Sequence, residues 1–231
     1  MSAAAPVVLR ELRAGRSAPF GPGAVRSAID KQRVGAGVVD VNGLHGDEQA
    51  DTRHHGGEQK ALHHSAAEHY ALWRAWLPAQ AARFVPGAFG ENLVTIGMTE
   101  DRVCVGDVYR LGGTTLQVSQ GRQPCWKLSR RFGVPDMARR VQDSGLTGWY
   151  YRVLEPGALA AGDRFVLRER PHPDWTLARL QGVLYHDCLN REALAAIAAL
   201  AALSDGWRAL ASQRLDSGVV EDWSRRLATP A

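Results

Sequence analysis

The chain has 231 residues, of which 45% are hydrophobic and 23% are charged, a composition typical of a soluble globular protein with a packed core. Its three widely spaced cysteines argue against a disulfide framework and fit a reducing cytosol. The first residues lack the features of a secretory signal, and even the alanine-rich run 193–203 is about half the length that spans a bilayer. We therefore expect a cytoplasmic protein with no membrane partner.

The formal net charge of +4 favours anionic partners, and phosphorylated small molecules and nucleic acid both qualify. The lysines and arginines are dispersed, however, and no run of them stands out. We therefore expect a small-molecule partner and no nucleic acid.

The first part of the chain predicts short strands with few helices between them. Alternating or β-rich runs are bounded by glycine, proline and asparagine, and Gly112-Gly113 predicts a hairpin turn. The predicted strands are 7–12, 25–29, 38–41, 89–93, 103–111, 114–119, 148–154 and 163–168. This pattern predicts a mainly β fold, specifically a β-barrel.

A polar, glycine-rich connection between 43 and 57 interrupts the strands. Six of the eight histidines lie between His45 and His69. Connections of this length inside a compact domain are more often functional than idle. The adjacent pairs His54-His55 and His63-His64 do not have a recognised zinc spacing, so a metal site has to be weighed against surface or hydrogen-bonding histidines.

The segment Ser65-Ala66-Ala67-Glu68 has the sequence of a capping box. It predicts a helix from Ala66 to about Leu77. Tyr70, Trp73 and Leu77 share one face of that helix, which favours core packing over a base-stacking platform.

The segment around Cys125 has the strongest chemical signal. A predicted strand ends at Gly121, and Pro124 and Gly133 bound a short predicted helix. A cysteine in the first turn of that helix would face unpaired backbone N–H groups, and Arg122 adds a positive charge. Both effects favour thiolate over thiol, and thus a nucleophile or a ligand for a soft metal; the alternative is a buried, inert cysteine.

After this segment a helix is predicted from Pro135-Asp136 to Gly145, and three more follow Pro171-His172-Pro173. Those three cover about 177–185, 192–203 with Asn190 as N-cap, and 205–215. We therefore predict two domains, a β-barrel over 1–170 and a three-helix domain over 171–231.

Several motifs, taken in order, resemble the MOSC-domain family, named for the C-terminal domain of molybdenum-cofactor sulfurase. The motifs are Gly43-Leu44-His45-Gly46-Asp47-Glu48-Gln49, His55-Gly56-Gly57, Phe89-Gly90-Glu91-Asn92-Leu93, Gly106-Asp107 and Gln120 to Cys125. The family block Arg-x-Pro-Cys is kept as Arg122-Gln123-Pro124-Cys125. The C-terminal helices are similar to those of the stand-alone bacterial YiiM-type branch, so the resemblance covers nearly the whole chain. Arg26 stands where lysine is common, which keeps the charge but excludes a role that needs a neutral amine.

The resemblance implies a barrel that binds the molybdenum cofactor, molybdopterin, and an oxidoreductase that reduces N-hydroxylated compounds such as hydroxylamino purine analogues. A flavoprotein reductase would supply the electrons. The roles implied are metal ligand and catalytic residue for Cys125, and cofactor binding for Arg26, His45, Gly56, Gly57, Glu91, Asn92 and Arg122. For such a reaction His55 and Asp47 are candidates for proton delivery, because N–O cleavage needs a proton on the departing oxygen and histidine titrates near the working pH.

Other readings stay open for these residues. Asp47 could cap the turn at Gly46, and His55 could orient the loop at Gly56. Cys125 could carry a persulfide, or the chain could bind and deliver the cofactor without catalysis. The three-helix domain could dock a reductase or a second subunit, which would make a homodimer.

Overall fold

A computed structural model describes residues 6–52 and 55–229. Strands dominate up to residue 169, and helices follow. The strands are β1 (Glu11–Ala14), β2 (Ala18–Pro19), β3 (Arg26–Ser27), β4 (Gln32–Val34), β5 (Ala36–Asp40), β6 (Gly43–Leu44), β7 (Leu62–Ala66), β8 (Leu93–Thr95), β9 (Val108–Leu111), β10 (Thr114–Gly121), β11 (Trp149–Glu155), β12 (Gly157–Ala160) and β13 (Phe165–Glu169). The helices are α1 (Glu68–Trp76), α2 (Lys127–Phe132), α3 (Met137–Ser144), α4 (Leu177–Tyr185), α5 (Arg191–Ala199), α6 (Asp205–Ser217) and α7 (Ser224–Leu227), with 3₁₀ turns at Glu58–Lys60 and Pro78–Arg83.

Eight strands form one curled mixed sheet in the order β13-β9-β10-β11-β7-β8-β1-β4. Its pairs are antiparallel except β7 and β8. A bridge between Val8 and Arg164 brings the chain before β1 against the chain before β13, and so curls the sheet towards a barrel. Smaller sheets, β12-β5-β6 and β2-β3, accompany it. The predicted mainly β, barrel-type fold followed by three helices is confirmed.

Two hydrophobic clusters fill the molecule. The first contains strand residues such as Leu116 and Trp149 together with helix residues such as Leu180 and Trp207, so the C-terminal helices and the sheet share one core. The second is aromatic and lies under α1, α2 and α3. Its ring contacts join Trp73, Phe84, Phe89 and Phe132. The domain boundary at 170/171 stays a prediction.

The prediction of a capping box at Ser65 is wrong. Ser65 lies in β7, opposite Val94 of β8, and α1 begins at Glu68. The Glu68 carboxylate does not reach back to residue 65; it accepts a hydrogen bond from the Gly97 N–H at 2.7 Å. All five residues of β7 are buried, so partners distant in sequence decide its conformation.

Within residues 6–52 and 55–229, no helix combines the length and apolar character needed to cross a bilayer.

Candidate functional site

A two-part cleft opens where β10 ends. Its inner pocket has a volume of about 80 Å³ and includes Lys31, Asp47 and Asn92 in its lining. Its outer cleft has a volume of about 540 Å³ and includes Lys60, Arg225 and Arg226. Both parts are lined by His55, Cys125, Lys127 and Tyr150. Cys125 therefore lies at the junction of the two parts.

Cys125 lies in an irregular loop, half-buried, one residue before the Trp126 N-cap of α2. The prediction that it occupies the first helical turn is therefore wrong. The Cys125 carbonyl instead accepts the Leu128 N–H at 3.0 Å. Its Sγ lies 3.8 Å from Nε2 of His55, and the ammonium group of Lys127 belongs to the same lining. The thiol thus faces an imidazole and basic side chains.

His55 is a neutral imidazole at pH 7. Burial, together with the positive charges of Lys127, Arg122 and Lys60, lowers the pKa of His55 to about 4. The reason given for proton delivery by His55, titration near the working pH, therefore does not hold. Its ring can still exchange a hydrogen bond with the Cys125 sulfur.

Asp47 is buried in the inner pocket against a lysine. Its Oδ2 lies 2.5 Å from Nζ of Lys31, and its Oδ1 accepts the Gly15 N–H at 2.7 Å. The amide of Asn92 donates to Oδ2 at 2.9 Å. Burial lowers the pKa of the Lys31 ammonium from its usual value, and the Asp47 carboxylate opposes that shift. The pair is a hydrogen-bonded charge pair beside the cleft.

Arg122 and Asn92 also line the inner pocket, as predicted from the motifs. Asn92 is fixed by donating to the Arg13 carbonyl at 3.0 Å and by accepting the His63 N–H at 3.1 Å. Arg122 is only 6% exposed, and its Nη1 has no hydrogen-bond partner among the described residues. A buried guanidinium nitrogen without a partner indicates room for an acceptor that the described part of the chain does not supply.

Gly56 lines the inner pocket with a backbone φ of 77°. A Cβ there would meet the Gln49 side chain at 3.0 Å, so the loop favours glycine. Gly57 lies outside the inner pocket and the outer cleft, in a neighbouring groove next to the C-terminal helices. His54, the other half of the histidine pair, lies outside the described residues. Within the described ranges, no three His, Cys, Asp or Glu side chains are grouped to hold a metal ion.

Besides Gly57, three predicted cofactor-binding residues do not line this cleft. The Glu91 carboxylate is fully buried and accepts hydrogen bonds from the Tyr70 hydroxyl and two backbone N–H groups of its own loop. Glu91 therefore stabilises that loop. His45 is exposed and pairs with Asp40 at 3.0 Å. Arg26 is exposed and donates to the Ser17 carbonyl at 2.5 Å.

Sequence reasoning missed Lys31, His63, Lys127 and Tyr150, all of which line the inner pocket. Burial and Arg122 hold the pKa of His63 well below its usual range, so it too is neutral. Lys127 lies two residues after Cys125, and this proximity is a signal that the sequence carries. Lys31 carries no local signal, since its partner Asp47 is 16 residues away.

Two family models and several known proteins match this chain. A family model described as MOSC domain matches residues 51–166, and one described as YiiM-like, 3-alpha helix domain matches residues 175–218. The chain is 41% identical over 202 residues to Protein YiiM of Escherichia coli (strain K12), covering 87% of this chain and 90% of that protein. The chain belongs to the MOSC-domain family. The resemblance stated from its motifs is confirmed.

Two further proteins are similar to this MOSC-domain chain. It superposes on the crystal structure of YiiM from Escherichia coli with a TM-score of 0.81 and 33% identity, covering 97% of this chain and 98% of that one. It is 42% identical over 183 residues to a protein named Reductase from Gibberella moniliformis (strain M3125 / FGSC 7600), covering 78% of this chain and 32% of that protein. The region matched as MOSC domain, residues 51–166, contains both His55 and Cys125.

Proposed function

We propose that the chain is a molybdenum-cofactor-dependent oxidoreductase that reduces N-hydroxylated compounds to amines. Cleavage of the N–O bond consumes two electrons and two protons and releases an amine and water. The observation that carries the proposal is the half-buried Cys125 thiol at the junction of the two-part cleft, beside His55 and basic side chains. Membership of the MOSC family and similarity to a protein named Reductase support the redox class.

The donor set of the cleft fits a phosphorylated pterin cofactor. The Nη1 of Arg122, which lacks a partner among the described residues, and the positive charge of Lys127 suit an anionic phosphate. The outer cleft, at about 540 Å³, falls within the range of roughly 300–1,000 Å³ usual for ligand sites, whereas the inner pocket alone, at about 80 Å³, does not. A bound molybdenum cofactor would supply the electron transfer at this place.

The chain's own residues would bind the cofactor, orient its protein ligand and supply a proton to the substrate. Cys125 Sγ would be a soft ligand for the metal. His55 would exchange a hydrogen bond with that sulfur as a neutral ring. Lys31 replaces His55 as the candidate that holds a proton, since Lys31 lines the inner pocket and burial lowers its pKa. Asp47 would keep that ammonium in place, which changes its proposed role from proton delivery to positioning.

The proposal is tested on protein produced in a host that makes the pterin cofactor. We expect about one molybdenum per chain and turnover of an N-hydroxylated purine with a flavoprotein reductase as electron donor. In Cys125→Ser, loss of the thiolate should lower kcat by at least about 100-fold, as for other residues that contact the reacting group. Cys188→Ser, a half-buried cysteine of the helical region, is the matched control and should keep wild-type turnover.

Other results would replace the proposal. Equal turnover by wild type and Cys125→Ser would remove Cys125 from the reaction. A sulfane-sulfur signal without molybdenum would indicate a persulfide carrier, and bound cofactor without turnover would indicate a delivery module. The flavoprotein partner, the homodimer and the cytoplasmic location stay predictions.

A further inference from the structure

The residues that follow α6 return to the catalytic side of the molecule. We call residues 219–229 the strap. It lies after the region matched as the three-helix domain and contains the short helix α7. Arg225 and Arg226 of the strap line the outer cleft together with Cys125. A segment distant in sequence therefore forms part of the candidate site.

Arg226 bonds to both peptide groups that flank Cys125. Its Nη1 donates to the Pro124 carbonyl at 2.6 Å, which belongs to the peptide group before Cys125. Its own carbonyl accepts the Trp126 N–H at 2.7 Å, which belongs to the peptide group after Cys125. The other terminal guanidinium nitrogen, Nη2, donates to Gln142 Oε1 at 2.5 Å. The guanidinium thus spans from the Cys125 loop to α3.

The strap is anchored on both sides of Arg226. Before it, the Glu221 carboxylate accepts two hydrogen bonds from the buried Arg214 of α6, at 2.8 and 2.9 Å, and one from Trp223 at 2.7 Å. After it, Leu227 is buried in the aromatic cluster. These contacts hold the backbone of Arg226 in place, so Arg226 can in turn hold another segment.

The loop that Arg226 contacts has no regular secondary structure of its own. Residues 122–125 lie between the end of β10 and the N-cap of α2. A loop of this kind opens locally unless other parts of the chain hold it. We propose that Arg226 is a positioning residue for Cys125: by bonding to the peptide groups on either side, it fixes the direction in which Sγ projects at the junction of the inner pocket and the outer cleft.

The consequence for catalysis rests on the proposed function, but the positioning of Cys125 by Arg226 does not. The positioning is tested on cofactor-free protein by the rate at which iodoacetamide alkylates Cys125, relative to the rate for Cys188 in the same sample. Mass spectrometry of the peptides measures both rates. Cys104, which is 1% exposed, serves as the monitor of global unfolding.

Arg226→Gln and Arg225→Gln form a matched pair of variants. Each removes one positive charge from the outer cleft, but only the first removes the bonds to Pro124 and Gln142. Loss of charge alone leaves the hydrogen bond to the Pro124 carbonyl in place. Loss of positioning exposes the thiol, so Arg226→Gln should raise the rate ratio of Cys125 to Cys188 about tenfold with Cys104 still protected. Arg225→Gln should not raise it, and Arg226→Lys, with a single donor nitrogen in place of two, should be intermediate.

An Arg226→Gln protein that keeps the wild-type ratio while Cys104 stays protected would overturn the proposal. If Arg226→Gln fails to fold, Leu227→Ala is the second variant, since it keeps Arg226 and removes the buried anchor of the strap. It should also raise the ratio, and an unchanged ratio would overturn the proposal. In the loaded enzyme, Arg226→Gln should lower kcat about 100-fold with KM little changed, since misplacement by about 1 Å has this order of effect.

Discussion

Four donors converge on the carboxylate of Asp47. They are the Gly15 N–H, the Lys31 ammonium and the side-chain amides of Gln49 and Asn92. These groups come from segments around β1, β4, β6 and β8. A single buried carboxylate therefore joins the loops that form the inner pocket, and the satisfied hydrogen bonds offset the cost of burying its charge.

Removing Lys31 from its charge pair with Asp47 should lower the stability of the protein. Lys31→Met leaves the Asp47 carboxylate buried without its counter-charge, so the free energy of unfolding should fall by about 3 kcal/mol or more at pH 7. The change is measured by urea unfolding. Arg140→Met is the control, because the Arg140–Asp136 pair is half-exposed and should cost less than about 1 kcal/mol. Equal losses in the two variants would contradict the importance of the buried pair.

His64 should make the protein less stable in acid. Burial lowers the pKa of His64 to about 3, whereas an unfolded histidine titrates near 6.5. Between these values the unfolded chain binds more protons than the folded chain, so stability falls as the pH falls through this window, by about 1.4 kcal/mol per pH unit.

The measurement is the free energy of unfolding at several values between about pH 7 and pH 4.5 for wild type and His64→Gln. His64 makes hydrogen bonds to the Tyr151 hydroxyl at 3.0 Å and the Thr95 hydroxyl at 2.8 Å, so the variant loses stability at pH 7 as well. The free energy of unfolding of His64→Gln should nevertheless change less steeply with pH than that of the wild type. An identical slope in the two proteins would remove His64 as the source of acid sensitivity.

Single residues could be predicted only where a motif or a family pattern marks them. Cys125, Arg122 and Asn92 belong to such motifs, and all three line the inner pocket. Glu91 belongs to one as well, but its carboxylate turns into its own loop, which no spacing rule reveals. Lys31 lies in the site because it pairs with Asp47, which is distant in sequence, so no local pattern marks Lys31.

At the level of elements, helices with local signals were predicted well. α4 spans Leu177–Tyr185 as predicted, Asn190 caps α5, and Gly145 ends α3. β7 was missed, because Leu62-His63-His64-Ser65-Ala66 has neither alternation nor β-branched residues. It is a strand because β8 and β11 pair with it on both sides.

Two helix caps differ in a testable way. The Asn190 side chain accepts the Ala193 N–H at 3.0 Å, whereas the Ser204 hydroxyl before α6 is buried with no hydrogen-bond partner within the described ranges. Asn190→Ala should therefore cost about 1 kcal/mol of unfolding free energy. Ser204→Ala should be neutral or slightly stabilising, because it removes a buried unpaired hydroxyl. Thermal and urea unfolding of the two variants check this, and the reverse order would contradict the cap assignment.

At the scale of the whole molecule, the C-terminal helices pack on the strand that leads to the cysteine. The Ser204 N–H donates to the Ser119 carbonyl of β10 at 2.8 Å, and the Gln181 amide donates to the Thr147 hydroxyl at 3.0 Å. A Cβ on Gly121 would lie 2.9 Å from the Trp207 ring, so glycine lets α6 approach the end of β10. The helical region therefore supports the site and is more than an attached module.

This packing predicts that sheet and helices unfold together. Trp207 is 3% exposed and belongs to the cluster shared by both regions, so Trp207→Ala should cost about 3–5 kcal/mol. Pulse-labelling hydrogen exchange along a urea series reports α6 and β11 separately. Both midpoints should coincide in the wild type and fall together in Trp207→Ala. Trp76→Ala, at a half-exposed tryptophan of α1, is the control and should shift neither midpoint by much. If α6 lost protection at lower urea than β11, the helices would be an independent domain, and the cleft would keep its shape without them.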